Sequence, residues 1–296
     1  MSANSGLGLH EGSQLARVAA SGLERSCTPQ RFGDRLRLAP GPEELERIEA
    51  RFHGNGFSPH RHDTYALGLT LHGVQTFRYR GIARFSQPGQ VIVLHPDELH
   101  DGAAGTEDGL VYRMIYVPPA LIGAVEAHRS ALPFAPDPVV SDDALAGALS
   151  ELLSDLDHAP AALMMDDVMV RIAAGLARQA RAPRRAVGAP ARAAVLAACA
   201  LLREQCTETV SSEALEAATG LDRYDLARQF RRLTGTSPHR YQIMRRLDLA
   251  RRALRGGRPL ALAAAEAGFA DQAHLTRHFR KAFGMTPGHW LRLHRG

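Results

Sequence analysis

The sequence predicts an α+β chain of two parts: a small β-barrel with flanking helices, then an all-α segment carrying two helix-turn-helix motifs. Three observations lead there. Short β-rich runs punctuated by glycine crowd residues 48–117, apolar residues then recur at three- and four-residue intervals, and one helical motif occurs twice toward the C-terminus.

Residues 1–40 carry scattered Gly, Ser and Pro with weak periodicity and read as a loosely ordered lead-in. Residues 41–181 form the first domain. Its strands are expected at Tyr65–Leu71, Val74–Tyr79, Gln90–Leu94 and Val111–Val117, with Gly73, Gly81, Pro88-Gly89 and Gly102 as turns and Pro118-Pro119 as the end of the region. Leu, Met, Val and Ile at helical spacing predict helices over Asp142–Asp157 and Leu163–Arg181, suited either to forming a dimer or to packing within their own chain. Prolines and glycine break the periodicity after Arg181, so 182–190 reads as a linker and 191–296 as a second, helical domain.

The length of 296 residues and the 45% hydrophobic content allow a core in each part. The longest apolar run, Ala193–Leu202, is too short to span a bilayer, and no basic start followed by an apolar core marks a secretion signal. Cys27, Cys199 and Cys206 make no disulfide framework. A cytoplasmic protein without a membrane partner is expected. The net charge of +5 is unevenly placed: residues 187–296 hold 18 Lys+Arg against 9 Asp+Glu, whereas residues 1–186 hold 18 against 22. An Arg-rich composition (Lys281 is the only lysine) explains which base is used but not why the excess sits at one end. A basic C-terminal part joined to an acidic N-terminal one points to double-stranded DNA as partner.

The first helical motif runs from Ser211 to Gly220 and from Leu221 to Gly235; the second runs from Leu260 to Gly268 and from Phe269 to Gly284. Ser212 is expected to cap the first short helix, with Asp222 and Asp271 capping the second helix of each pair. Leu226, Phe230 and Leu233 make one apolar stripe, and Leu275, Phe279 and Phe283 the other. Both motifs continue with Gly-x-Ser/Thr-Pro (Gly235–Pro238 and Gly284–Pro287), a helix end followed by a proline-started helix. A helix over about His239–Leu254, roughly 24 Å long, would join the two motifs, so that their second helices can reach successive major grooves about 34 Å apart. A solvated helical bundle is the bland alternative, but it does not account for the duplicated punctuation or the basic excess.

Arg246-Leu-Asp-Leu-Ala-Arg-Arg-Ala-Leu254 and Ala267-Gly-Phe-Ala-Asp-Gln-Ala-His-Leu-Thr-Arg-His-Phe-Arg-Lys281, within Val195–Leu293, resemble the AraC/XylS transcriptional regulators. The resemblance implies base-reading positions at Tyr224, Ala227 and Arg228 in the first motif and at Asp271, Gln272, Ala273, Thr276 and Arg277 in the second. Arg pairs with guanine, Gln with adenine, and Thr or Ala methyls touch thymine. Ala227 stands where family members often carry a polar reader, so the first helix is expected to read fewer bases. Arg231, Arg232, Arg280 and Lys281 are assigned to phosphate.

Gly54–His62 with Gly73, and Gly89–His100, resemble the two cupin motifs, and many AraC-type regulators sense small molecules in such a domain. The resemblance brings His60, His62 and His100 together, a set able to hold Zn²⁺, Fe²⁺, Mn²⁺ or Ni²⁺. The pattern departs from metal-binding cupins: the glutamate would fall near Ala66 or Leu67, Pro96 to His100 is one residue short, and Asp63 is not at the matching spacing. The favoured reading is therefore a pocket for a polar effector, with Tyr65, Arg78 and Tyr112 as further partners and no cofactor. Three readings stand. They are an effector-responsive DNA-binding regulator acting as a homodimer (with RNA polymerase as partner if it activates), a cupin-type metalloenzyme, and a DNA binder without an effector. The first, which is not an enzyme, is preferred on the tandem motifs and the absent glutamate.

Overall fold

The computed structural model describes residues 33–42, 45–125, 132–180 and 188–295. Most of the expected lead-in and residues 182–187 of the expected linker lie outside them. Strands β1 (Arg35–Leu38), β2 (Glu46–Phe52), β3 (Asn55–His60), β4 (Tyr65–His72), β5 (Gln75–Tyr79), β6 (Ile82–Ser86), β7 (Val91–Leu94), β8 (His100–Ala104) and β9 (Leu110–Val117) precede helix α1 (Pro119–Val125) and the short β10 (Val139–Val140). They form a six-stranded sheet in the order β1-β2-β9-β4-β7-β10 and a four-stranded sheet in the order β3-β8-β5-β6.

This corrects the expected barrel. Alternating apolar residues predict strands that bury a face, but they do not say whether the outermost strands meet. Here the sheets stay open, and two of their edges are covered by helices of the C-terminal half. Helix α9 (Gln272–Phe283) packs on β3, and α10 (Pro287–Arg295) packs on β1. Covering an edge strand satisfies it without closure.

The larger sheet is buried on both faces. On one, Leu67, Val93, Ile115 and Val117 pack against α2 (Asp143–Ser154) and α3 (Ala162–Gln179) through Leu149, Ile172 and their neighbours. Asp142 caps α2 by accepting from the Leu145 N–H and also holds Arg178 of α3 at 2.9 Å. On the other face, Ile48, Phe52, Tyr112 and Met114 join Phe77 and Tyr79 of the smaller sheet.

The C-terminal half comprises α4 (Ala189–Glu204), α5 (Ser212–Thr219), α6 (Arg223–Thr234), α7 (Pro238–Arg255), α8 (Leu260–Glu266), α9 and α10. Ser211, one residue before the expected Ser212, caps α5 by accepting from Ala214 N–H. A core of Val195, Leu202, Leu226 and Phe230 holds the first motif together. The second motif shares its core with the sheets: Met244, Leu247, Phe279 and Trp290 belong to the same apolar cluster as Phe52 and Met114. Residues Arg31–Gly296 accordingly form one compact unit.

Candidate functional site

Each motif presents its second helix by the same local devices. Asp222 accepts from the N–H groups of Tyr224 and Asp225 at the start of α6, and Asp271 accepts from His274 N–H at 2.6 Å at the start of α9. Burial of Leu226 and Phe230 on α6, and of Leu275 and Phe279 on α9, turns the opposite faces outward. Tyr224 is 72% exposed. Ala227, Arg228, Gln272, Ala273 and Arg277 are also exposed, and Thr276 is half-buried.

The expected readers are not equally free. Arg228 is paired with Asp225 one turn earlier, so DNA must compete with that carboxylate. The Asp271 carboxylate is engaged as a helix cap. Among the expected phosphate contacts, Arg231 lies 3.8 Å from Asp97 of the sheet domain, Arg232 reaches Gln229, and Arg280 and Lys281 are exposed.

A cavity of about 450 Å³ lies between the sheets and the C-terminal helices. His60, His62, Ile48, Phe57 and Tyr116 line it from the sheet side, and Leu196, Met244, Phe283 and Trp290 from the helices. Its charged lining is uneven: Arg192, Arg203, Arg245, Arg251, Arg252 and Arg255 face three carboxylates, Glu46, Asp63 and Asp248. Asp63 pairs with Arg245 at 2.8 Å, and Glu46 pairs with Arg251, which also lies over the rings of Phe283 and Trp290. These sheet-to-helix pairs, and the part played by α4 and α7, escape a sequence reading that treats the two halves separately. Asp63 was visible only as a residue off the metal-binding pattern.

The i, i+2 spacing on β3 and its exit sets His60 beside His62, and pairing of β3 with β8 places His100 opposite His60. Ring centroids lie 4.3 Å (His60–His100), 4.8 Å (His62–His100) and 6.2 Å (His60–His62) apart. Each Nδ1 faces a backbone carbonyl, of Ser58, Thr64 and Glu98 in turn, at 2.8–2.9 Å. A carbonyl only accepts, so Nδ1 carries the proton and Nε2 is left as an acceptor. Burial, and then the neighbouring imidazoles, push His60 and His62 well below the usual histidine range, and burial lowers His100 to about 4. All three rings are neutral at pH 7, and His62 Nε2 is buried without a hydrogen-bond partner. Among the described residues no group of three or more His, Cys, Asp or Glu is arranged to hold a metal ion.

The other expected effector residues lie elsewhere. Tyr65 is buried against α2 and α3 and donates to Pro133 O at 2.7 Å. Tyr112 is buried between the sheets, and Arg78 lines a separate groove on the smaller sheet with Phe85 and Asp101.

The profile of the AraC-like ligand binding domain matches residues 44–173, and that of a helix-turn-helix domain matches residues 215–293. The chain has the two domains of an AraC-type transcriptional regulator. This regulator is 28% identical over 236 residues to the uncharacterized HTH-type transcriptional regulator YbfI of Bacillus subtilis (strain 168), an alignment covering 77% of the chain and 86% of that protein. Its fold is that of ToxT from Vibrio cholerae: TM-score 0.64 at 10% identity, over 86% of this chain and all of that one. A ToxT structure with bound unsaturated fatty acid matches at a TM-score of 0.59 and 10% identity, over 88% of this chain and 96% of that one. No helix among the described residues is long and apolar enough to cross a membrane.

Proposed function

We propose that the regulator reads DNA through α6 and α9 and is controlled by an amphipathic organic anion held in the shared cavity. The observation that carries the effector's class is the lining: six arginines against three carboxylates, around an apolar interior of about 450 Å³. An anion there balances the cationic excess, and its apolar body covers Phe57, Leu196 and Met244. ToxT structures hold an unsaturated fatty acid and (E)-4-(8-methylnaphthalen-1-yl)but-3-enoic acid, both carboxylic acids, which supports the same class here. Because both halves line the cavity, a ligand that prefers one arrangement of them shifts the population of DNA-binding states.

In this reading Tyr224, Ala227, Arg228, Gln272, Ala273, Thr276 and Arg277 face bases, while Arg231, Arg232, Arg280 and Lys281 face phosphate. The regulator is not an enzyme and acts in the cytoplasm on double-stranded DNA. It works as a homodimer through the outward side of α3, where Leu163 and Val170 are exposed, and as an activator it would contact RNA polymerase. Thermal unfolding of the full chain with octanoate, decanoate and naphthalene carboxylates, each beside its methyl ester, tests the effector class. The acids should raise Tm and the esters should not. Equal shifts by acid and ester would refute an anion site, and no shift by any acid would remove the cavity from effector binding.

A further inference from the structure

The duplicated Gly-x-Ser/Thr-Pro segments do more than end two helices. Gly235 ends α6 and Gly284 ends α9, at φ +76° and +67°, and each lies against the sheet domain. A methyl added at Gly235 would come within 2.6 Å of Pro96 Cβ; at Gly284 it would come within 2.5 Å of Ser58 O and 2.9 Å of His60 Nδ1. Gly220, which ends α5 at φ +68°, has open space around it. The left-handed cap is thus common to all three, and the close approach is confined to the ends of the two reading helices.

What they rest on is one ledge. The β3–β4 and β7–β8 connections are tied together by Asp97 N–H donating to His62 O at 2.7 Å and by Arg61 Nη1 donating to Asp97 O at 3.3 Å. For α9, Ser58 N–H donates to Gly284 O and Arg61 N–H to Lys281 O, both at 3.0 Å. For α6 and the start of α7, Pro96 meets Gly235, Asp97 pairs with Arg240 at 2.7 Å, and Arg240 Nη2 donates to Arg61 O at 2.6 Å. Equivalent points of the two motifs, 49 residues apart, therefore seat on a single hydrogen-bonded turn pair.

We infer that this ledge is the spacing gauge of the regulator: by gripping the C-terminal ends of α6 and α9 it sets their separation, and so determines how far apart the two groove segments they read can be. Helix α7 joins the motifs covalently, and the ledge fixes the residual bend and rotation. The inference rests on α6 and α9 being the helices that meet DNA. His60 and His62 belong both to the ledge and to the cavity wall, so an occupant of the cavity touches the gauge directly.

Nitroxide labels placed at exposed Ala227 and Ala273 through a non-natural ketone side chain report the separation by pulsed electron resonance in the full chain. Wild type and Gly220→Ala should share one narrow distance. Gly235→Ala, Gly284→Ala and Asp97→Ala should broaden it or shift it by about 3 Å or more, one base-pair rise. Asp97→Ala alters no glycine, and Gly220→Ala carries the same left-handed strain without a docking contact, so loss of folding does not mimic the result. An identical narrow distance in all variants would show that α7 alone sets the spacing and would overturn the inference. In parallel, duplexes selected from a random pool by the wild type should share one spacing, and those selected by Asp97→Ala should include spacings one base pair longer or shorter. If the distances respond but the wild type enriches no sequence, the ledge stands and the assignment of α6 and α9 to DNA falls.

Discussion

His60, His62, His95 and His100 are buried, and their Nδ1 atoms meet backbone carbonyls or a tyrosine hydroxyl rather than acids. Burial depresses all four, His95 to about 3 and His100 to about 4. The sign of the pH dependence follows. Above about pH 6.5 neither state binds these protons; below it the unfolded chain does and the folded chain does not, so stability falls with pH until the folded rings titrate. Each ring contributes up to about 1.4 kcal/mol per pH unit in that window. Denaturant titrations from pH 7 to pH 5 should show a steep loss, and His62→Gln should lower the slope by about one ring's share; a flat profile would contradict the assigned neutral tautomers. At the DNA face, Arg277→Ala should cost roughly 1–3 kcal/mol on the selected site and little on unrelated duplex, measured by anisotropy at fixed salt. An equal loss on both would make Arg277 a phosphate contact.

Local signals carried the helical elements. Asp222, Asp271, Gly220, Gly235, Gly284, Pro238 and Pro287 act within a few residues of themselves, and the helices begin and end at them. Replacing Asp222 with Ala should therefore remove about 1 kcal/mol of stability, read from the denaturation midpoint, whereas Asp222→Asn should keep most of it. The strands at Tyr65, Gln75, Val91 and Leu110 were legible as β-rich runs between glycine and proline turns. Short β1, carrying Arg35 and Arg37 beside Leu36 and Leu38, was not. Barrel closure was beyond reach because it depends on edges meeting, and α9 and α10 cover two of them instead. For the candidate site, His60 and His62 lie side by side as their spacing requires. Tyr65 and Tyr112, also in β-rich runs, are directed by strand register into two different cores. The cavity arginines come from α4 and α7, and no spacing rule links Arg203 or Arg245 to His62 across so much chain.

Over the whole molecule, three carboxylates of the sheet domain hold three arginines of one helix: Asp97 with Arg240, Asp63 with Arg245, and Glu46 with Arg251. Asp63 is 4% exposed, so Asp63→Asn leaves a largely buried Arg245 guanidinium with Asp248 at 3.3 Å and the Tyr241 ring at 4.9 Å but without its nearer carboxylate. A loss on the order of 3 kcal/mol in the denaturant midpoint of the full chain is expected. If stability is unchanged, the pair is not what couples the halves. The shared core has a consequence for building hybrid regulators. Met244, Phe279 and Trp290 cluster with Phe52 and Met114, so the C-terminal half is not an interchangeable cassette. A foreign sensor fused ahead of residue 188 would have to bring its own counterparts of β1, β3 and the Pro96–Asp97 turn, or leave these aromatic residues wet. Compatibility between sensor and reader is therefore written into the packing between them, in addition to the effector's contacts and the operator's sequence.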